Sequence, residues 1–111
     1  DISRWNVSNV TETGGAFHHA SSFNSDISCW DVSNVTSLYA TFEYTKSFNN
    51  DLSRWDVRQV TNMRWTFSNT TSFDQQLGDA WARSTADKYT MFDRSPGSIV
   101  GKTNTANGTP V

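Results

Sequence analysis

The 111-residue sequence lacks most of what usually holds a small domain together. Its single cysteine, Cys29, excludes an internal disulfide framework. Apolar residues make up only 35%, little for a domain closed around one core, and no run of about 18 of them exists to span a bilayer. The net charge of -2 gives no basic excess to attract nucleic acid or an anionic membrane. Signals of catalysis are missing as well: there is no G-x-S-x-G elbow and no H-E-x-x-H helix. Gly101-Lys102-Thr103 has the look of the end of a phosphate loop, but the glycine such a loop needs five places earlier is Pro96. No signal peptide and no initiator Met are present, and the chain opens within a repeat. It is expected to be a piece of a longer protein.

What is present is periodicity and aromatic side chains. Aromatics reach 14%. The stretch 26–50, DISCWDVSNVTSLYATFEYTKSFNN, aligns without gaps on DISRWNVSNVTETGGAFHHASSFNS and on DLSRWDVRQVTNMRWTFSNTTSFDQ, each 25 residues away. Trp5, Trp30 and Trp55 coincide, as do Val7, Val32 and Val57, then Phe17, Phe42 and Phe67, then Phe23, Phe48 and Phe73. A fixed period of this size means stacked units, each burying a thin stripe that a few large side chains fill.

The spacing predicts the content of one unit. Trp30 and Val32, two apart, share one face of a short strand, with Asp31 on the other. Asn34 or Thr36 then caps a helix of about two turns, because Val35, Leu38 and Phe42 fall at i, i+3 and i+7. Ser47-Phe48-Asn49-Asn50 turns the chain back. Successive strands run parallel, with like residues stacked about 4.8 Å apart. In the first unit Thr13, Gly14 and Gly15 replace the helix formers, so that helix is expected to fray. The fourth unit decays: Leu77 and Phe92 keep register, Trp81 comes one place late, and Ala82 and Thr85 stand for valines. It is expected to be a cap. The domain is therefore 1–95, with units 1–25, 26–50 and 51–75 and a degenerate cap 76–95. Residues 96–111 read as a flexible tail or linker.

The phrase F-N-x-D-(I/L)-S-x-W-D-V-S-N-V-T, with Asn62-Met63 and then Phe67, resembles BspA-type leucine-rich repeat surface proteins. The resemblance covers residues 1–75 well and 76–95 weakly. Asn6 and the Gly14-Gly15 pair depart from it. It implies an α/β solenoid, a leucine-rich-repeat-like stack of strand, turn and short helix with a parallel sheet. It also implies extracellular or cell-surface display, adhesion, or binding to other surfaces.

Candidate functional residues lie on the outward side of the expected strands. Asn6, Asp31 and Asp56 form one column, and Arg4, Cys29 and Arg54 another. Stacked carboxylates repel, and Arg4 and Arg54 are the expected partners. Calcium would need more oxygens than one column offers. Cys29 is expected as an unpaired surface thiol. Adjacent His18 and His19 have the wrong spacing to share a metal. No metal and no cofactor are expected. Asn6, Asn9, Asn34, Asn69 and Asn107 begin N-x-(S/T) triplets; Asn69 and Asn107 lie outside the recurring turn and are the better glycosylation candidates. Two functions remain open. One is a non-catalytic surface or secreted module that binds a protein or glycan through its polar sheet face. The other is a structural spacer or assembly subunit that docks through the ends of the stack.

Overall fold

The structure is a computed structural model that describes residues 2–78 and 80–100. The units lie side by side in the same chain direction. Parallel bridges join Glu12 to Ser37, Ser37 to Asn62, and Asn62 to Asp87. Among the described residues three regular elements, all in the last third of the chain, complete the fold: β1 (Gln76–Leu77), α1 (Ala80–Arg83) and β2 (Ser98–Ile99). β1 and β2 pair in parallel, Gln76 with Ser98 and Leu77 with Ile99.

The I-x-x-W and V-x-x-V segments, expected as strand, are two tight turns. Trp30 N–H donates to the Ile27 carbonyl at 3.1 Å, and Val35 N–H to Val32 at 2.9 Å. The residue before each turn stabilises it. The Asp26 carboxylate accepts from the Ser28 N–H and hydroxyl at 3.0 and 2.7 Å, and Asp31 does the same for Ser33 at 3.0 and 2.6 Å. An aspartate that accepts from the backbone two residues on is the usual way such a turn is fixed. D-I-S-C-W and D-V-S-N-V are thus one five-residue device used twice. The apolar ends of each turn, Ile27 and Trp30, then Val32 and Val35, take the inner side. Of these only Trp30 is not fully buried.

Residues 35–42, expected as helix, carry turns and the ladder between units. The N–H groups of Leu38, Ala40, Phe42 and Tyr44 donate to the carbonyls of Asn62, Arg64, Thr66 and Ser68 in the next unit at 2.8–3.0 Å. The N–H groups of Thr41, Glu43 and Thr45 close turns on Leu38, Ala40 and Phe42 instead. Two positions per unit take positive φ: Gly15, Ala40, Trp65 and Thr90 at one, and His19, Tyr44, Asn69 and Arg94 at the other. That alternation bends the chain too sharply for a helix. In this setting Gly15, at φ 68°, suits its place, and the first unit's segment is not frayed: Gly15 N–H donates to Tyr39 at 2.9 Å.

Large side chains fill the interior. Phe17, Phe42, Phe67 and Phe92 stack with ring centroids 5.6 Å apart at every step, and Phe23, Phe48 and Phe73 form a second column at 5.6 and 5.9 Å. Three tryptophans also tie units together. The indole N–H groups of Trp30, Trp55 and Trp81 donate to the carbonyls of Ile2, Ile27 and Leu52 at 3.0, 3.0 and 2.9 Å. Trp81, one place late in sequence, therefore takes the same role, carried there by α1. Buried threonine hydroxyls add rungs: Thr41 to the Thr13 carbonyl and Thr66 to Leu38, both at 3.0 Å.

The two ends differ. Trp5 is 61% exposed, whereas Leu77, Trp81 and Ile99 are fully buried. The stretch from Pro96, expected as the start of a tail, packs against the body through β2 as far as Ile99. Lys88, in the place of Leu38 and Met63, is buried too. Its ammonium donates to the Ser84 and Ala86 carbonyls at 2.5 and 3.2 Å. Burial lowers its pKa from the ordinary lysine value, and Asp87 opposes that shift.

Candidate functional site

The expected site column is largely occupied with holding turns. Asn6 accepts from the Ser8 N–H and hydroxyl at 3.0 and 2.6 Å, as Asp31 does from Ser33. Asp56 accepts from the Arg58 N–H at 3.1 Å and from its guanidinium at 2.9 and 2.7 Å. These bonds, those from Ser33 and Arg58 first, hold the Asp31 and Asp56 carboxyls below the ordinary value. The expected partners are not the observed ones. Among the described residues no ion pair joins Arg4 or Arg54 to Asp31 or Asp56, and Arg58 supplies the charge instead. Arg58 carries no mark in the repeat pattern, because its mates, Ser8 and Ser33, are neutral. Its spacing, two after an aspartate, was the available signal. Arg4, Cys29 and Arg54 are all exposed, and Cys29 is a free thiol.

The outward side of the ladder carries a second constellation. Gly14, Tyr39, Arg64 and Tyr89 form one column. Tyr39 and Tyr89 are exposed at 45% and 44%. The Arg64 guanidinium lies 5.1 Å from the Tyr89 ring centre, and the Trp65 ring meets Tyr89 edge-on at 6.2 Å. Asp87 stands 3.8 Å from Arg64. Further along the same ladder His19 stacks on Tyr44 at 4.5 Å, and His18 faces Glu43 at 3.0 Å. His19, Tyr44 and Trp65 are the third residues of their turns and sit at φ near +60°, which no helix allows. A helix would have placed them differently, and so the sequence reading missed them.

The histidines and acids do not converge. Among the described residues no group of three or more His, Cys, Asp or Glu side chains is placed to hold a metal ion. Of the glycosylation candidates, Asn69 is half-buried at a left-handed position, and its amide donates to the Ser68 hydroxyl at 3.2 Å. Asn107 lies outside the described residues. Asn34 spans two units, its amide donating to the Ser8 carbonyl at 2.7 Å. No helix among the described residues is long and apolar enough to cross a membrane.

Compared with known proteins, residues 1–100 match a family model described as Mycoplasma protein of unknown function, DUF285. No curated protein and no solved structure matches the chain.

Proposed function

The chain belongs to the DUF285 family, and from that premise we propose that it is a non-catalytic solenoid module that binds a protein or glycan on another surface. The observation that carries this reading is the outer face of the ladder. Exposed Tyr39 and Tyr89, partly buried Trp65 and the Arg64 guanidinium line it, on a backbone hydrogen-bonded from unit to unit. Tyr, Trp and Arg are the side chains that contribute most at binding surfaces. They bring large area and few rotatable bonds, and the rings offer flat faces to sugars or to apolar side chains. This face supports binding better than the Asn6, Asp31 and Asp56 column, whose oxygens already serve turns. The likeness of the 25-residue phrase to BspA-type leucine-rich repeat surface proteins supports extracellular or cell-surface display.

The test is a triple substitution, Tyr39→Ser, Trp65→Ser and Tyr89→Ser, probed on a glycan array and on surface proteins of intact cells. Binding that falls by about tenfold or more, while the melting temperature moves by only a few degrees, supports the ladder face. Binding unchanged in this variant but lost on Asp31→Asn with Asp56→Asn returns the site to the other column. A second reading, a spacer or assembly subunit, predicts contact through the ends of the stack and no loss of binding in either variant.

A further inference from the structure

Arg58 and Arg83 coincide in the 25-residue register, where the first two units have Ser8 and Ser33. No other place in that register carries Lys or Arg in two consecutive units. The two side chains line one cavity of about 140 Å³, together with Ser84 and Thr85 and with Val60 and Ala80. Thr85 falls in the place of Val60, so a hydroxyl stands where the repeat has a methyl group.

One carboxylate serves these two guanidiniums. Asp56 accepts from the Arg58 Nε and Nη2 groups at 2.9 and 2.7 Å, and the Arg58 Nη1 group has no partner among the described residues. The place two before Arg83, which is Asn6, Asp31 or Asp56 in the other units, is the buried Trp81. Arg83 therefore has no equivalent acceptor, and among the described residues no ion pair engages it. Like charges in consecutive units repel, and an anion between them turns that repulsion into attraction.

The hydroxyls have the same sense. The Ser84 Oγ accepts from the Ala86 N–H at 3.1 Å, which leaves its own O–H to donate. The Ser84 carbonyl receives the Lys88 ammonium at 2.5 Å, and this sets a buried cation against a lining residue. Among the described residues no carboxylate lines the cavity.

We propose that this cavity is a binding site for a tetrahedral oxyanion, a sulfate or phosphate group carried by a partner molecule as its monoester. A guanidinium presents N–H groups in a planar fork that matches two oxygens of such a group. Two forks in consecutive units and two hydroxyls together address more oxygens than a carboxylate has, and a tetrahedral group supplies them. The lining shares no residue with the face of Tyr39, Arg64, Trp65 and Tyr89, so the two sites can be lost separately.

The experiment titrates the full chain with sodium sulfate and, separately, sodium phosphate, at an ionic strength held constant with sodium chloride. The Ser84 and Thr85 amide signals are followed by NMR. A saturable shift with at least one ion is expected. Arg58→Gln and Arg83→Gln are each expected to weaken binding by about tenfold or more, as for the loss of hydrogen bonds to a charged group. Thr85→Val, which restores the residue of the other units, is expected to weaken it severalfold. Arg94→Gln, exposed and outside the cavity, is expected to leave it unchanged. Melting temperatures within a few degrees of the parent show that the variants are folded. Tighter sulfate binding assigns the group to a sulfate ester, and tighter phosphate binding assigns it to a phosphate monoester. Shifts that saturate with neither ion would overturn the proposal, as would shifts that persist undiminished in both Arg58→Gln and Arg83→Gln.

Discussion

Asn6 and Asp31 make the same pair of hydrogen bonds, to a backbone N–H and a hydroxyl two residues on, with an amide oxygen in one and a carboxylate in the other. The turn therefore needs the acceptor, and the charge is a separate property. Asp26, Asp31, Asp51 and Asp56 all have lowered carboxyl pKa values because of such bonds, chiefly to Ser28, Ser33, Ser53 and Arg58. A carboxyl lowered on folding contributes stability that is complete above about pH 4 and is lost as pH falls through its folded value. Thermal melts between pH 6 and pH 2 are expected to show this loss, and changing all four to Asn is expected to flatten it while leaving the pH 6 structure intact. A variant as acid-sensitive as the parent would remove these turns as the cause. Gly15 supplies a second test at this scale. A Cβ there would meet nothing within 4 Å, yet φ is 68°. Gly15→Ala is therefore expected to cost about 1 kcal/mol from backbone strain alone, measured by chemical denaturation. A neutral result would place that residue outside the left-handed region.

The repeated elements are turns, and their stability comes from neighbours above and below. A turn closed by one bond offsets little of the entropy it costs, so each depends on the ladder and on the aromatic columns. Position along the stack should then decide the effect of one substitution made at equivalent places. Trp55, buried at 3% exposure and bonded to Ile27, is expected to cost about 3–5 kcal/mol on replacement by Ala, as for a large aromatic removed from a core. Trp5→Ala is expected to cost under about 1 kcal/mol, because most of that ring already meets water. Urea melts that give the two variants equal losses would contradict the asymmetry. Lys88 tests the closing unit. Leu38 and Met63 hold the equivalent place, so Lys88→Met is expected to stabilise the chain by about 1 kcal/mol or more, since a desolvated ammonium is replaced by a matching apolar side chain.

At the scale of the whole molecule, a chain with 35% apolar residues keeps a continuous interior because each unit contributes only a stripe. Trp5 is exposed in the first unit and Trp81 is buried in the last, and Tyr39 and Tyr89 are exposed on the outer side of the ladder. These are consequences of stacking order rather than of any single unit. The repeat length, the residues that coincide from unit to unit, and the identity of the inward phenylalanines and valines were all legible in the sequence, because burial imposes a period that apolar side chains record. Which bonds the backbone makes was not. Val35, Leu38 and Phe42 at i, i+3 and i+7 satisfy a helix, but they satisfy equally a run of turns whose alternate N–H groups leave the unit for the next one. Side-chain spacing records which way a residue faces and carries no mark of where its N–H is satisfied. That choice is made between units, by the neighbour that supplies the carbonyl. It set which side chains, Tyr39 and Tyr89 among them, face water.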